Sequence, residues 1–265
     1  MISFILLSVF STGCMKNPEG FSDNEDTENG DTNIEYPSQI LPLSEIELQT
    51  LKAEFNTLKG DSVSAELDEY GLVDWAGVLV RGSSNITEAD TAVSKAREIL
   101  VRLDKFTNVN DSTLLEIKEA TNEHGSGIYN DWIITFKNQM YSGLEVLNTE
   151  ITVLVGDEVR QISGHHYTNI FIPEIDVVDM ESAGQLLIGY QIEYICWTPG
   201  SYVITEGSIN YNKIEKVIYP LHPDDRIEFR VVWKIPVGDN SIPDWYIYVD
   251  VMTGEIVLVG QTFIC

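Results

Sequence analysis

Basic residues, cysteines and long apolar runs are all scarce in this chain of 265 residues. It contains 16 Lys+Arg against 42 Asp+Glu, which gives a formal net charge of -26. Nucleic-acid binding depends on cationic side chains that displace counterions, and anionic lipid surfaces repel an acidic chain in the same way. We therefore expect no nucleic-acid partner. A basic protein partner and a merely solvated acidic surface both stay open.

Sequence motifs for catalysis and for cofactor binding are also missing. The chain has no HExxH, no G-x-S-x-G elbow, no P-loop and no Rossmann glycine fingerprint. We accordingly predict no catalytic residue, no metal and no cofactor, and thus not an enzyme. Carboxylates are so abundant that a chance pair in a cleft does not indicate a catalytic site. An enzyme with an unrecognised site is the alternative to this prediction.

The adjacent histidines His165 and His166 raise the question of a metal site, as does the acidic run of residues 17–39 for calcium. The histidines fall in the β-rich run "EVRQISGHHY", and neighbouring residues on a strand point to opposite faces. A zinc site needs three or four ligands, while His124 and His222 are distant in sequence. We predict a role in a sheet or on the surface for both residues.

The N-terminus begins with an apolar run, "MISFILLSVF", followed by "STGC". A run of this length is too short to cross a bilayer, which needs roughly 20 apolar residues. The small residues before Cys14 are similar to a bacterial lipobox. Residues 1–14 are therefore predicted to be a signal peptide with lipidation at Cys14, although a cleaved secretory signal or a buried apolar N-terminus are alternatives. The predicted location is the cell envelope, extracytoplasmic, with membrane contact through the lipid only.

Composition predicts one further segment, and the cysteines predict a covalent link. Residues 15–43 are rich in Asp, Glu, Asn and Gly, which predicts a flexible acidic tether. With Cys14 assigned to lipid, Cys196 and Cys265 are left as candidates for a disulfide, which an exported protein can form. Two buried or free thiols are the alternative, because sequence supplies no geometry.

Hydrophobic periodicity predicts an α+β fold of two small domains, each an antiparallel sheet packed against helix. Ser44 with Glu47 forms a capping box before one helix, and Thr87 with Asp90 is predicted to start a second, strongly amphipathic helix. From there the period changes to two, with short turns between strands. Asp179 signals a later helix. In "DWYIYVDV" alternate residues face opposite sides, Asp250 is expected to accept hydrogen bonds from turn amides, and Gly254 to adopt positive φ.

The middle of the chain resembles the FTP domain, the fungalysin/thermolysin propeptide domain of secreted M4-type metallopeptidases. The similarity lies in "FKNQMYSGLEVLNTEITVLVGDEVRQISGHHYTNIFIP". The matching positions are Phe136, Gln139, Tyr141, Gly143, Leu144, Val146, Val153, Val155, Ile162, Ser163, Gly164, Tyr167, Asn169, Ile170, Ile172 and Pro173. We expect an FTP-like domain at residues 44–175.

Downstream, "VVWKIPV" and "DWYIYVDVMTGEIVLV" resemble a PepSY domain, the second half of the same propeptides. The matching positions are Trp233, Trp245, Tyr246, Tyr248, Asp250, Thr253, Gly254 and Glu255. This predicts a PepSY-like domain at residues 176–265. In such propeptides the two domains assist folding of the peptidase and block its active site until cleavage, whereas this chain carries no zinc motif.

The resemblance implies a non-catalytic, propeptide-like module that binds a protein partner, most naturally a secreted metallopeptidase, and inhibits or chaperones it; the predicted lipid at Cys14 would tether the module to the membrane. The alternative is a structural or assembly lipoprotein of the envelope that uses the same fold without a peptidase partner.

Overall fold

The computed structural model describes residues 36–75, 82, 84–122, 130–196, 198–238 and 244–262. Its α-helices are α1 (Glu45–Lys59), α2 (Ala89–Arg102), α3 (Asp104–Thr107) and α4 (Met180–Leu187). Its strands, in chain order, are β1 (Ser38–Ile40), β2 (Glu66–Leu67), β3 (Val73–Asp74), β4 (Ile117–Asn122), β5 (Trp132–Phe136), β6 (Gln139–Tyr141), β7 (Leu144–Val146), β8 (Ile151–Val155), β9 (Val159–Ser163), β10 (Gln191–Cys196), β11 (Thr198–Val203), β12 (Glu215–Leu221), β13 (Ile227–Val237), β14 (Trp245–Asp250) and β15 (Ile256–Gln261).

These strands form two main sheets and two small hairpins. A four-stranded sheet has the order β4-β5-β8-β9, and a seven-stranded sheet has the order β15-β14-β13-β12-β7-β6, with β1 paired to β13. The hairpins are β2-β3 and β10-β11. Pairing is antiparallel except between β12 and β7, which run parallel. The predicted α+β class with antiparallel sheets and packed helices is confirmed.

The four-stranded sheet buries its apolar face against α2. Ala92, Ala96, Ile99 and Leu100 of the helix are buried in one cluster with Ile134, Phe136, Val153 and Ile162 of the strands. Full burial of each large aliphatic side chain contributes about 1.5 to 3 kcal/mol. The apolar stripe predicted from the sequence is therefore the helix side of this core.

Two helix starts that look alike in the sequence differ in the structure. At α1 the capping box is present: the Ser44 amide donates to Glu47 Oε2 at 3.0 Å, and the Glu47 amide donates to Ser44 Oγ at 3.4 Å. The predicted start of α2 at Thr87 is wrong, because α2 begins at Ala89 with Glu88 as N-cap and no side-chain capping bond. Burial of its apolar stripe fixes α2 without a cap.

The seven-stranded sheet packs one face on α4. Trp245, Ile247 and Val249 of β14 lie in a buried cluster with Ala183 and Leu187 of α4. Tyr248 belongs instead to a separate cluster with residues of β12 and β13. The alternation predicted for "DWYIYVDV" is confirmed.

Strands on both sides of residue 175 build this sheet. The pairs Val217 with Glu145 and Ile218 with Val146 join β12 to β7. A third buried cluster contains Val146 and Tyr167 together with Ile218 and Phe229. The segments 44–175 and 176–265 thus share a sheet and a core.

None of the described helices is long and apolar enough to cross a membrane.

Strand β9 ends where Gly164 adopts a φ of +92°. A Cβ atom at this position would lie 2.2 Å from the Glu150 carbonyl oxygen. Gly143 also has positive φ, +84°, but a Cβ there would meet nothing within 4 Å. A side chain at Gly143 would therefore meet only the strain of positive φ, whereas a side chain at Gly164 would meet that strain and a steric clash.

We expect Gly164→Ala to lower the free energy of unfolding by about 3 kcal/mol or more, and Gly143→Ala by about 1 to 2 kcal/mol, because only the first adds a clash with backbone to the strain of positive φ. Urea unfolding followed by circular dichroism measures both. Equal losses would show that Gly164 is needed for its φ alone.

Candidate functional site

The predicted lipidation and disulfide sites fall outside the part of the chain that the structure describes. Cys14 and Cys265 lie beyond the described residues. Cys196 ends β10, but its side chain is outside the described set. The lipid anchor and the Cys196–Cys265 disulfide stay predictions.

The two adjacent histidines follow β9, so the β-rich run "EVRQISGHHY" ends as a strand before it reaches them. His165 Nδ1 is 2.9 Å from the Val73 carbonyl oxygen, and its ring packs edge-on against Tyr167 at 4.8 Å. The His166 amide donates to the Thr107 carbonyl at 2.8 Å. The reason is Gly164, whose positive φ turns the chain out of the sheet.

His166 is buried, with 8% of its surface exposed, and its Nε2 has no hydrogen-bond partner among the described groups. Burial, with a smaller contribution from His165, lowers the pKa of His166 to about 4. Within the described ranges, no three His, Cys, Asp or Glu side chains lie close enough to hold a metal ion. The arrangement gives these histidines a packing role.

Asp250 is fully buried and accepts four hydrogen bonds. Its Oδ1 accepts from the amides of Met252 at 2.8 Å and Thr253 at 2.9 Å, as the sequence predicts for this turn. Its Oδ2 accepts from the Tyr36 hydroxyl at 2.9 Å and from Arg230 Nη1 at 3.2 Å. One carboxylate therefore joins the β14-β15 turn, strand β13 and the segment before β1.

The network continues from Asp250 along β13. Arg230 Nη2 donates to Glu228 Oε2 at 3.1 Å. The Tyr36 hydroxyl also accepts from the Val231 amide at 3.0 Å. Burial and the nearby Asp250 carboxylate raise the pKa of the Tyr36 phenol, so it stays protonated and remains a donor.

A shallow depression lies beside α4 and is the candidate site. It is lined by Val177, Val178, Asp179, Glu181, Ser182, Gln185 and Leu186, which together are called the α4 surface. Val177 is 68% exposed and Leu186 is 56% exposed. An exposed apolar patch rimmed by polar groups is typical of an interaction site when the patch is large and contiguous.

The backbone beside the α4 surface is fixed to the seven-stranded sheet. The Val178 amide donates to the Val251 carbonyl at 2.8 Å, and Trp233 Nε1 donates to the Val178 carbonyl at 2.8 Å. Lys216 Nζ pairs with Asp176 Oδ1 at 2.5 Å. A surface held in this way loses little conformational entropy when a partner binds.

The turn organised by Asp250 also borders the α4 surface. Gly254 has a φ of +72°, as predicted, and a Cβ there would lie 3.2 Å from Leu186 Cδ1 and 3.3 Å from Val178 Cγ2. The positions of Leu186 and Val178 thus depend on the same turn that the buried carboxylate holds.

The charged groups that line the α4 surface are acidic. Asp179 caps α4 by accepting from the Ser182 amide at 2.7 Å. Its hydrogen bonds with Ser182 lower the pKa of Asp179, which keeps this carboxylate ionised. Among the described side chains, no lysine or arginine forms an ion pair with Asp179 or Glu181. The surface offers apolar contact and negative charge.

The sequence interpretation missed this surface. Sequence patterns predict a domain boundary after residue 175 and a helix signalled by Asp179, and no binding surface beside them. In the structure Ala183 and Leu187 are buried, while Leu186 is exposed. In the sequence, two adjacent valines, Val177 and Val178, in an otherwise acidic segment indicate an apolar spot. This pattern does not show whether either valine is exposed or buried.

Comparison with known proteins assigns no family. No family model matches the chain, and no curated protein matches it. Among solved structures, the Bacillus megaterium YpeB C-terminal domain is similar, with a TM-score of 0.31 and 14% sequence identity, over 84% of this chain and 100% of that chain. Similarity at this level assigns no function, and the resemblance to FTP and PepSY domains stays a prediction.

We expect Asp250→Asn to lower the free energy of unfolding by about 3 kcal/mol, because it removes the charged partner of the partly buried Arg230 on one side. Glu255→Gln, an exposed change in the same turn, should stay within about 0.5 kcal/mol. Chemical denaturation at neutral pH measures both. A loss as small as that of the control would mean that Glu228 alone satisfies Arg230.

His166 should make the fold weaker in mild acid. Its folded-state pKa lies below the unfolded value, so as pH falls through the range from about 6.5 to 4 the unfolded chain takes up a proton that the folded chain does not. Between pH 7.5 and pH 5 this costs about 2 kcal/mol of unfolding free energy. His166→Gln should lose correspondingly less than wild type between these two pH values in urea titrations. Identical losses would exclude His166 as the titrating group.

Proposed function

We propose that this chain is a non-catalytic protein-binding module whose partner docks on the α4 surface. The observation that carries the proposal is the exposure of Val177 and Leu186 on a backbone that three contacts hold in place. Apolar side chains that stay exposed to water are unfavourably solvated. A partner that covers them removes this unfavourable solvation, and the gain stabilises the complex.

The partner we propose is an extracytoplasmic metallopeptidase that the module restrains or chaperones in trans. The support is the sequence resemblance to propeptide domains, together with the predicted lipid at Cys14 and the acidic tether at residues 15–43. A tether of this kind would hold the folded part near the membrane and leave the α4 surface accessible to a secreted protein. Stable inhibition would need a total interface of roughly 1,200 to 2,000 Å², so surfaces beyond the α4 surface would take part.

The test uses the full chain as bait for envelope and culture-fluid proteins of the source organism, followed by assay of captured peptidase activity with purified bait added. We expect a metallopeptidase to be captured and slowed. Leu186→Glu should weaken its capture by about ten-fold or more, because it places a charge at the centre of the apolar contact.

Leu114→Glu provides the matched control, since Leu114 is 78% exposed and does not line the α4 surface. Equal capture by the two variants would exclude the α4 surface as the docking site. Capture of a peptidase whose rate is unchanged, or of none, would overturn the regulatory role and favour an assembly protein of the envelope.

A further inference from the structure

The chemistry of the α4 surface also restricts what can dock on it. Its apolar side chains, Val177, Val178 and Leu186, lie next to the carboxylates of Asp179 and Glu181. A purely apolar partner would desolvate those carboxylates without pairing them, which is unfavourable. An acidic partner would be repelled both locally and by a chain whose formal charge is -26.

We propose that the segment docked on the α4 surface is a cationic amphipathic stretch of the partner protein, with apolar side chains against Val177 and Leu186 and lysine or arginine against Asp179 and Glu181. This inference rests on the proposed function and specifies its partner. The matching element is short, because the eight residues of α4 span about 12 Å, or roughly two helical turns.

Asp179 and Glu181 also stabilise helix α4, so a control variant must remove charge from the same positions of another helix. Asp179 is the N-cap of α4 and Glu181 lies in its first turn, where negative charge favours a helix. Helix α2 repeats this arrangement with Glu88 as N-cap and Asp90 in the first turn, and neither residue lines the α4 surface. Neutralising each pair removes the same charge from the same helix positions.

The experiment titrates the full chain with a fluorescently labelled 14-residue peptide of lysine and leucine at helical amphipathic spacing, at low ionic strength. A lysine–serine peptide of equal charge measures general attraction to an acidic protein, and a glutamate–leucine peptide measures apolar contact alone. We expect the lysine–leucine peptide to bind most tightly of the three.

The double variant Asp179→Asn with Glu181→Gln should weaken this binding by about five-fold, the effect of losing two exposed ion pairs. Asparagine keeps the helix cap, so α4 should stay folded, which circular dichroism checks. The matched variant Glu88→Gln with Asp90→Asn should change affinity by less than about two-fold, since neither residue lines the α4 surface.

Two outcomes would overturn the inference. Equal weakening by both double variants would mean that the peptide responds only to the overall negative charge. Sedimentation showing a dimer of the chain that Leu186→Glu dissociates would make a second copy the occupant.

A third outcome separates this inference from the proposed function. If Leu186→Glu abolishes capture of the partner while the Asp179 and Glu181 double variant captures it normally, the docking site stands and the cationic partner segment is wrong.

Discussion

A single buried carboxylate holds together the parts of the chain on which the candidate site depends. Asp250 is fully buried, and it binds the amides of its own turn, the guanidinium of Arg230 and the hydroxyl of Tyr36. An isolated ionised carboxylate in this position would be very costly, so its partners are obligatory. The turn, strand β13 and the segment before β1 are therefore fixed together.

That constraint extends to the α4 surface through the turn itself. Gly254 lies at the end of the turn that Asp250 organises, and Leu186 and Val178 pack around it. Val178 is held from the sheet side by Val251 and Trp233. The exposed apolar side chains are thus supported by buried polar contacts, which is how a small surface can be preorganised for a partner without a deep pocket.

Local patterns in the sequence predicted much of the local structure, apart from the start of α2, but none of the long-range partners. The capping box at Ser44, the cap at Asp179 and the alternation in "DWYIYVDV" are each decided within a few residues, and all three are present. Tyr36 is 214 residues from Asp250, and the parallel pairing of β7 with β12 joins segments more than 70 residues apart. No periodicity encodes such contacts. Burial decides them, which is also why Leu186 could not be separated from Leu187 in advance.

The large negative charge has two explanations, solubility and the binding of a basic partner, and the position of individual carboxylates bears on both. A charge that serves solubility is spread over the surface, and any one group can be neutralised at little cost. At the α4 surface, however, Asp179 and Glu181 adjoin exposed valine and leucine side chains and form no ion pair with a described lysine or arginine. Apolar area supplies affinity and unpaired charge supplies selectivity. Under the proposed function, their combination on a fixed backbone is what selects a cationic partner segment.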